Sequence, residues 1–137
     1  MNQLRIETKL PSLNEVLSKN RANKYMGAKL KREVQDLIGW YIKLAVKRGE
    51  LHPVESCEVS ITWHERTKRR DVDNIQSAQK FILDALVEQG ILFNDSRKYV
   101  KQIYHRIVDD KDDFIEVSLN DGERGEGEAG VDPASSE

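Results

Sequence analysis

Two hydrophobic periods meet near residue 50, and that meeting limits the chain to a fold that combines helices with a sheet. Leu30, Val34, Leu37, Ile38, Tyr41 and Ala45 recur at offsets of 4, 7, 8, 11 and 15, which draws one apolar stripe along a helix from Ala28 to Arg48. Gly49 is placed to end it in a left-handed turn. After Pro53 the period becomes two. Cys57, Val59, Ile61 and Trp63 share one face, and Glu58, Ser60, Thr62 and His64 share the other. Such alternation predicts a strand with one face buried. His64 then reads as a surface histidine, Cys57 as a small core residue, and Trp63 and Trp40 as core or interface residues.

The rest of the chain extends this pattern. Leu4, Ile6, Thr8 and Leu10 alternate with Arg5, Glu7 and Lys9, which predicts a first strand closed by the turn Pro11-Ser12-Leu13-Asn14. Residues 18–29 read as a polar loop. Ile75, Ala78, Ile82, Ala85 and Leu86 predict a second helix over 74–89, stopped by Gly90. Tyr99–Val108 and Phe114–Leu119 predict two strands joined as a hairpin through 109–112. The expected order is β-α-β-α-β-β: an α/β (α+β) single domain with a mixed sheet and two helices packed on it.

Charge divides the chain. Residues 121–137 hold six acids and one base, a net of −5, so residues 1–120 carry +3 of a total of −2. The tail has few apolar residues and is expected to be disordered, leaving residues 1–120 as the domain. With a single cysteine and three scattered histidines, no zinc site or internal disulfide is expected. No run approaches the ~20 apolar residues of a membrane span, and the N-terminal segment lacks a signal-peptide core. A cytoplasmic protein without membrane contact is the expectation.

Asp71 and Asp73 lie two residues apart where a basic loop meets a helix. On an extended segment both carboxylates project to one side. Asp95 follows from the next loop. Mg²⁺ prefers oxygen ligands and keeps several waters, so two or three carboxylates suffice to hold it. Arg66, Lys68, Arg69 and Arg70 precede the acids and offer contacts to phosphates. Lys80 lies seven residues beyond Asp73, about 20° from a whole number of turns, and therefore on the same face of a continuous helix. Asp84, four residues further, is placed to hold its ammonium. Spacing alone equally fits a bland alternative, with Asp73 capping the helix, Gln76 completing a capping box and Asp95 serving an ordinary turn. A second basic run, Lys19, Arg21, Lys24, Lys29, Lys31 and Arg32, contains no acid and includes Tyr25. It suits tracking a phosphate backbone, with the aromatic stacking on an unpaired base.

The stretches Arg70-Asp71-Val72-Asp73-Asn74-Ile75, Gln79-Lys80-Phe81-Ile82-Leu83-Asp84-Ala85-Leu86 and Gly90-Ile91-Leu92-Phe93-Asn94-Asp95 resemble the RusA-type Holliday-junction resolvases. The Pro11–Asn14 turn and the order of elements over residues 2–119 are similar too. The resemblance implies a homodimeric nuclease, dependent on Mg²⁺ or Mn²⁺ and often encoded by phages, that cuts four-way DNA junctions by paired nicks. It implies that Asp71, Asp73 and Asp95 bind metal, that Lys80 is catalytic with Asp84 and Asn74 in support, and that Tyr25 is the counterpart of the aromatic wedged into the junction. Here the helix carries about three more residues between Asn74 and Gln79 than the best-known member. Lys80 takes the lysine position if they are an insertion; otherwise Ser77 does.

Overall fold

The computed structural model describes residues 2–121; the acidic segment beyond lies outside the described residues. Along the chain run β1 (Gln3–Ile6), α1 (Leu13–Ala22), α2 (Lys24–Lys47), β2 (Cys57–Glu65), α3 (Val72–Ser77), α4 (Gln79–Glu88), β3 (Val100–Asp109) and β4 (Phe114–Asn120). The four strands form one mixed sheet in the order β1-β4-β2-β3. The α+β expectation therefore holds, with four helical segments in place of two. Among the described residues, no helix is long and apolar enough to cross a membrane.

The alternation in β2 does what its period dictates. Cys57, Val59, Ile61 and Trp63 are buried with Leu4, Ile6, Ile115, Val117 and Leu119 of the neighbouring strands. Val34, Ile38, Ile42 and Ala45 of α2 and Phe81, Ile82, Ala85 and Leu86 of α4 complete that core. Burial pushes the Cys57 thiol up to about 11, with Asp121 and Glu58 adding to the shift. Trp63 is core, whereas Trp40 is exposed and meets Tyr41 edge-on.

Three expectations need correction. The polar stretch 18–29 is helical. Ser12 caps α1 in a reciprocal box with Glu15, and Asn23 breaks the helix in an extended conformation. The Asn23 side chain then accepts from the backbone N–H groups of Tyr25 and Met26 to start α2 at Lys24. Good caps at both helix starts outweigh the polar composition between them. Second, the 74–89 helix is two segments that meet at Ala78, where the backbone tightens into hydrogen bonds from Ala78 to Ile75 and from Phe81 to Ala78.

Third, β3 and β4 are not a hairpin. β2 lies between them, parallel to β3 and antiparallel to β4. Residues 110–113 cross the end of β2 to join the two. Two strand spacings are about 9.6 Å, and four extended residues reach about 13 Å, so a short turn suffices for either topology. The crossing turn is fastened to β2. Asp110 N–H donates to the Glu65 carbonyl at 3.0 Å, and Arg66 N–H donates to Asp113 Oδ1 at 2.7 Å. The His64 ring lies between Asp110 and Glu116, 2.9 and 2.8 Å away, and stacks on Phe114. Its side chain is only 12% exposed, so the surface histidine of the sequence reading is largely covered.

The crossing of α1 and α2 is close. A Cβ on Gly27 would stand 2.5 Å from Asn20 Cα. Gly27→Ala is expected to cost about 1–3 kcal/mol by overpacking, read as a lower denaturant midpoint with an unchanged slope.

Candidate functional site

The basic loop ends in a clamp. Glu65 follows Trp63 on the buried face of β2 and is itself buried. Arg70 turns inward to meet it, Nη2 to Oε2 at 2.8 Å, and donates through Nη1 to the Leu10 carbonyl at 2.9 Å. The side chains are 14% and 5% exposed. Arg70 thus differs from its exposed neighbours Arg66, Lys68 and Arg69: its guanidinium is engaged inside the fold by Glu65 and the Leu10 carbonyl. What it does is fix the backbone at which Asp71 begins α3.

Asp71 occupies the N-cap position by its extended backbone, yet its side chain makes no capping hydrogen bond. Asp73 falls in the first turn of α3. The cap at Asp73 with a box at Gln76 is therefore not formed. The ion pairs of this region are Lys68–Asp109, Arg70–Glu65, Lys80–Asp84 and Lys80–Asp95, and neither Asp71 nor Asp73 belongs to any of them. Both carboxylates are exposed and face solvent at the head of α3.

Lys80 lies between two acids, its Nζ 3.2 Å from Asp84 Oδ1 and 3.5 Å from Asp95 Oδ2. Its pKa is raised chiefly by the Asp84 hydrogen bond and charge, against an opposing effect of burial, with Asp95 adding a lesser upward push. The lysine is charged at neutral pH and suits electrostatic stabilisation rather than proton abstraction. Asp95 is free to reach it because the adjacent turn uses a different side chain, Asn94 Oδ1 accepting from Ser96 N–H at 2.8 Å. Ser77, the other candidate for the lysine position, is a structural clamp. Its hydroxyl donates to the Asn74 carbonyl at 2.7 Å and accepts from Leu13 N–H at 3.0 Å. Asn74 in turn accepts from Asn14 Nδ2, tying α3 to α1.

Asp73 and Lys80 line one cleft of about 800 Å³ between the α1–α2 pair and the α3–α4 pair, with Leu13, Val16, Leu17 and Phe81 among its walls. Asp95 touches the cleft through Lys80. Among the described residues, no three acids, histidines or cysteines stand together as a ready-made metal group. The expected trio is therefore not preassembled: Asp71 and Asp73 are neighbours at the head of α3, and Asp95 is engaged with Lys80. The donor chemistry fits a hard divalent ion, because Mg²⁺ is commonly held by one or two carboxylates together with substrate phosphate oxygens and water.

The other bases of the two basic runs lie on α1, on α2 and in the segment after β2. Lys19 and Arg21 end α1, while Lys24, Tyr25 and Lys29 are in the first turns of α2. All are exposed, Tyr25 to 72%. Arg66, Lys68 and Arg69 are exposed after β2, with Lys68 loosely paired to Asp109 at 3.6 Å.

Sequence reasoning gave His105 no role, but it lines the cleft. Trp63 Nε1–H donates to His105 Nδ1 at 3.0 Å, and His105 Nε2 is 2.7 Å from Gln79 Oε1. An indole nitrogen only donates, so Nδ1 is bare and the proton is on Nε2, which donates to Gln79. Burial lowers the His105 pKa and favours this neutral ring. The alternation of β3, with 103 and 105 less exposed than 102, 104 and 106, is the signal that places His105 on the core side.

No protein-family model matches the chain, and no curated protein matches it.

Proposed function

We propose that this protein is a metal-dependent endodeoxyribonuclease that nicks branched DNA, with four-way junctions as its substrate and Mg²⁺ or Mn²⁺ as its cofactor. One observation carries the reading. A lysine held charged by Asp84 and Asp95 shares a cleft with Asp73, beside acids that are left unspent by the helix cap. Asp71 stands at the cap position without making the cap bond, and Asp73 follows it in the first turn, so both carboxylates are open to a cation.

In this reading Asp71 and Asp73 hold the ion with phosphate oxygens of the DNA, and Asp95 is the third acid. A bound Mg²⁺ or Mn²⁺ ion supplies polarisation of the phosphoryl group and a more acidic water. Lys80 sets a positive charge toward the negative charge that grows on the phosphate oxygens as the P–O bond breaks. Asp84 keeps its ammonium on that side of α4. Lys19, Arg21, Lys24 and Lys29 at the α1–α2 elbow, with Arg66, Lys68 and Arg69, hold the backbone, and Tyr25 is exposed for stacking on an unpaired base. A homodimer would set two such sites on the two strands of a two-fold symmetric junction.

Nicking of four-way, flap and linear duplex DNA, compared side by side, tests this. Cleavage of the four-way junction is expected in Mg²⁺ or Mn²⁺ and should be absent in EDTA. Binding of branched DNA without nicking in either metal would reduce the protein to a non-catalytic junction binder. Preferential cutting of flaps would keep the chemistry and change the substrate.

A further inference from the structure

We propose that the cleft between α1–α2 and α3–α4 receives one unstacked nucleobase of the DNA, beside the phosphate that is cut. The inference rests on the nuclease reading and adds a subsite to it. A nucleobase is flat, with apolar faces and a rim of donors and acceptors. The cleft repeats that division. Leu13, Val16 and Leu17 of α1 provide an aliphatic wall, while the carboxamides of Asn20, Gln76 and Gln79 provide groups that both donate and accept. Its volume of about 800 Å³ lies within the range of small-molecule sites. Lys31 and Lys80 also line it, one on each helix pair, so the cations needed for the phosphates flanking an extruded nucleotide are present on both sides. Asp73 on the same lining sets the pocket next to the metal-binding acids.

Gln79 is pre-oriented for this task. The Trp63–His105 chain fixes its Oε1 as the acceptor from His105, which leaves the amide NH₂ of Gln79 for another partner. The pocket therefore offers a fixed donor to a ring nitrogen or carbonyl on the edge of the base. Branch points are the natural source, because pulling a base from an intact stack is costly, and least so where the base is already unpaired.

The test uses the full chain carrying Asp71→Asn, which holds the junction uncut, and four-way junctions with 2-aminopurine placed singly at nucleotides around the branch point. Because the facing wall is aliphatic, a base seated there should fluoresce at least about 3-fold more strongly than in the free junction. Adding Ala28→Leu, which fills the mouth from an exposed position of α2, or Gln79→Met, which keeps the shape and removes the amide, should return the signal toward that of the free junction while the DNA stays bound. A bound junction with no bright position, or brightness that both variants leave unchanged, overturns the pocket; if the wild-type chain still nicks junctions, the nuclease reading survives. A wild-type chain that fails to bind branched DNA overturns the function and the pocket together.

Discussion

Asp71→Asn is expected to slow junction cleavage by about 10³-fold or more while leaving junction binding equal or tighter. A metal ion contributes several kcal/mol of charge stabilisation to a phosphoryl transition state, and each 1.36 kcal/mol is about tenfold in rate. The amide keeps the shape of the carboxylate and removes its charge. Because Asp71 makes no capping bond and no ion pair in its region, the fold loses little. Binding tightens because one negative charge facing the DNA phosphates is gone. Cleavage at the wild-type rate would remove Asp71 from the site. Lys80→Met forms the companion measurement: it deletes the ammonium and leaves Asp84 and Asp95 facing each other unneutralised. Its cleavage should fall by far more than its DNA affinity, since one phosphate contact is lost from binding while the larger loss belongs to the transition state.

Arg70→Met is expected to destabilise the fold by about 3–5 kcal/mol, the usual consequence of leaving a buried charge without its partner. Glu65 is 5% exposed and has Arg70 as its counter-charge. For a domain of this size the loss lowers Tm by about 10–15 °C, against a total stability of about 5–15 kcal/mol. Glu65→Leu in the same chain should restore most of it, because an apolar pair of similar volume replaces a buried ion pair at little cost. A double-mutant cycle over the two positions measures the coupling. The salt dependence of DNA binding provides a separate check. Arg70→Met should leave the slope of log K against log salt unchanged, whereas Lys29→Ala should reduce it by about one phosphate contact. An Arg70→Met chain as stable as wild type, or with a shallower slope, would return Arg70 to the DNA surface.

That arginine also shows how far the residues alone could be read. Its place among Arg66, Lys68 and Arg69 made it look like one more phosphate contact. The contrary signal was Glu65. It continues the apolar face of β2 after Cys57, Val59, Ile61 and Trp63, and an acid on a buried face demands a base within reach. The period-two and helical patterns identified β2 and α2 because burial of one face is a local property. Strand neighbours are not local. Phe114–Asn120 alternates in the same way whether it pairs with β3 or slips between β1 and β2. The elbow at Asn23 was hidden by polar composition, although Ser12 with Glu15 and Asn23 ahead of Tyr25 and Met26 are capping signals in plain order. At the candidate site, the separation of Lys80 from Asp84 was enough to predict their pairing at 3.2 Å. The contact with Asp95 was not, since a loop position has no period to fix it. The face shared by Asp73 and Lys80 survives the tightening at Ala78, which periodicity could not foresee.

The position of β4 between β1 and β2 has a consequence for how the chain assembles. Among the described residues, β1 pairs in the sheet with β4 alone, with Gln3 opposite Ser118. A polypeptide emerging from the ribosome therefore carries β1 without its strand partner until residues 115–118 have been made. Pairings that span nearly the whole described chain also form slowly. Helices α1 and α2 can meet early, whereas this sheet closes only after synthesis has passed β4.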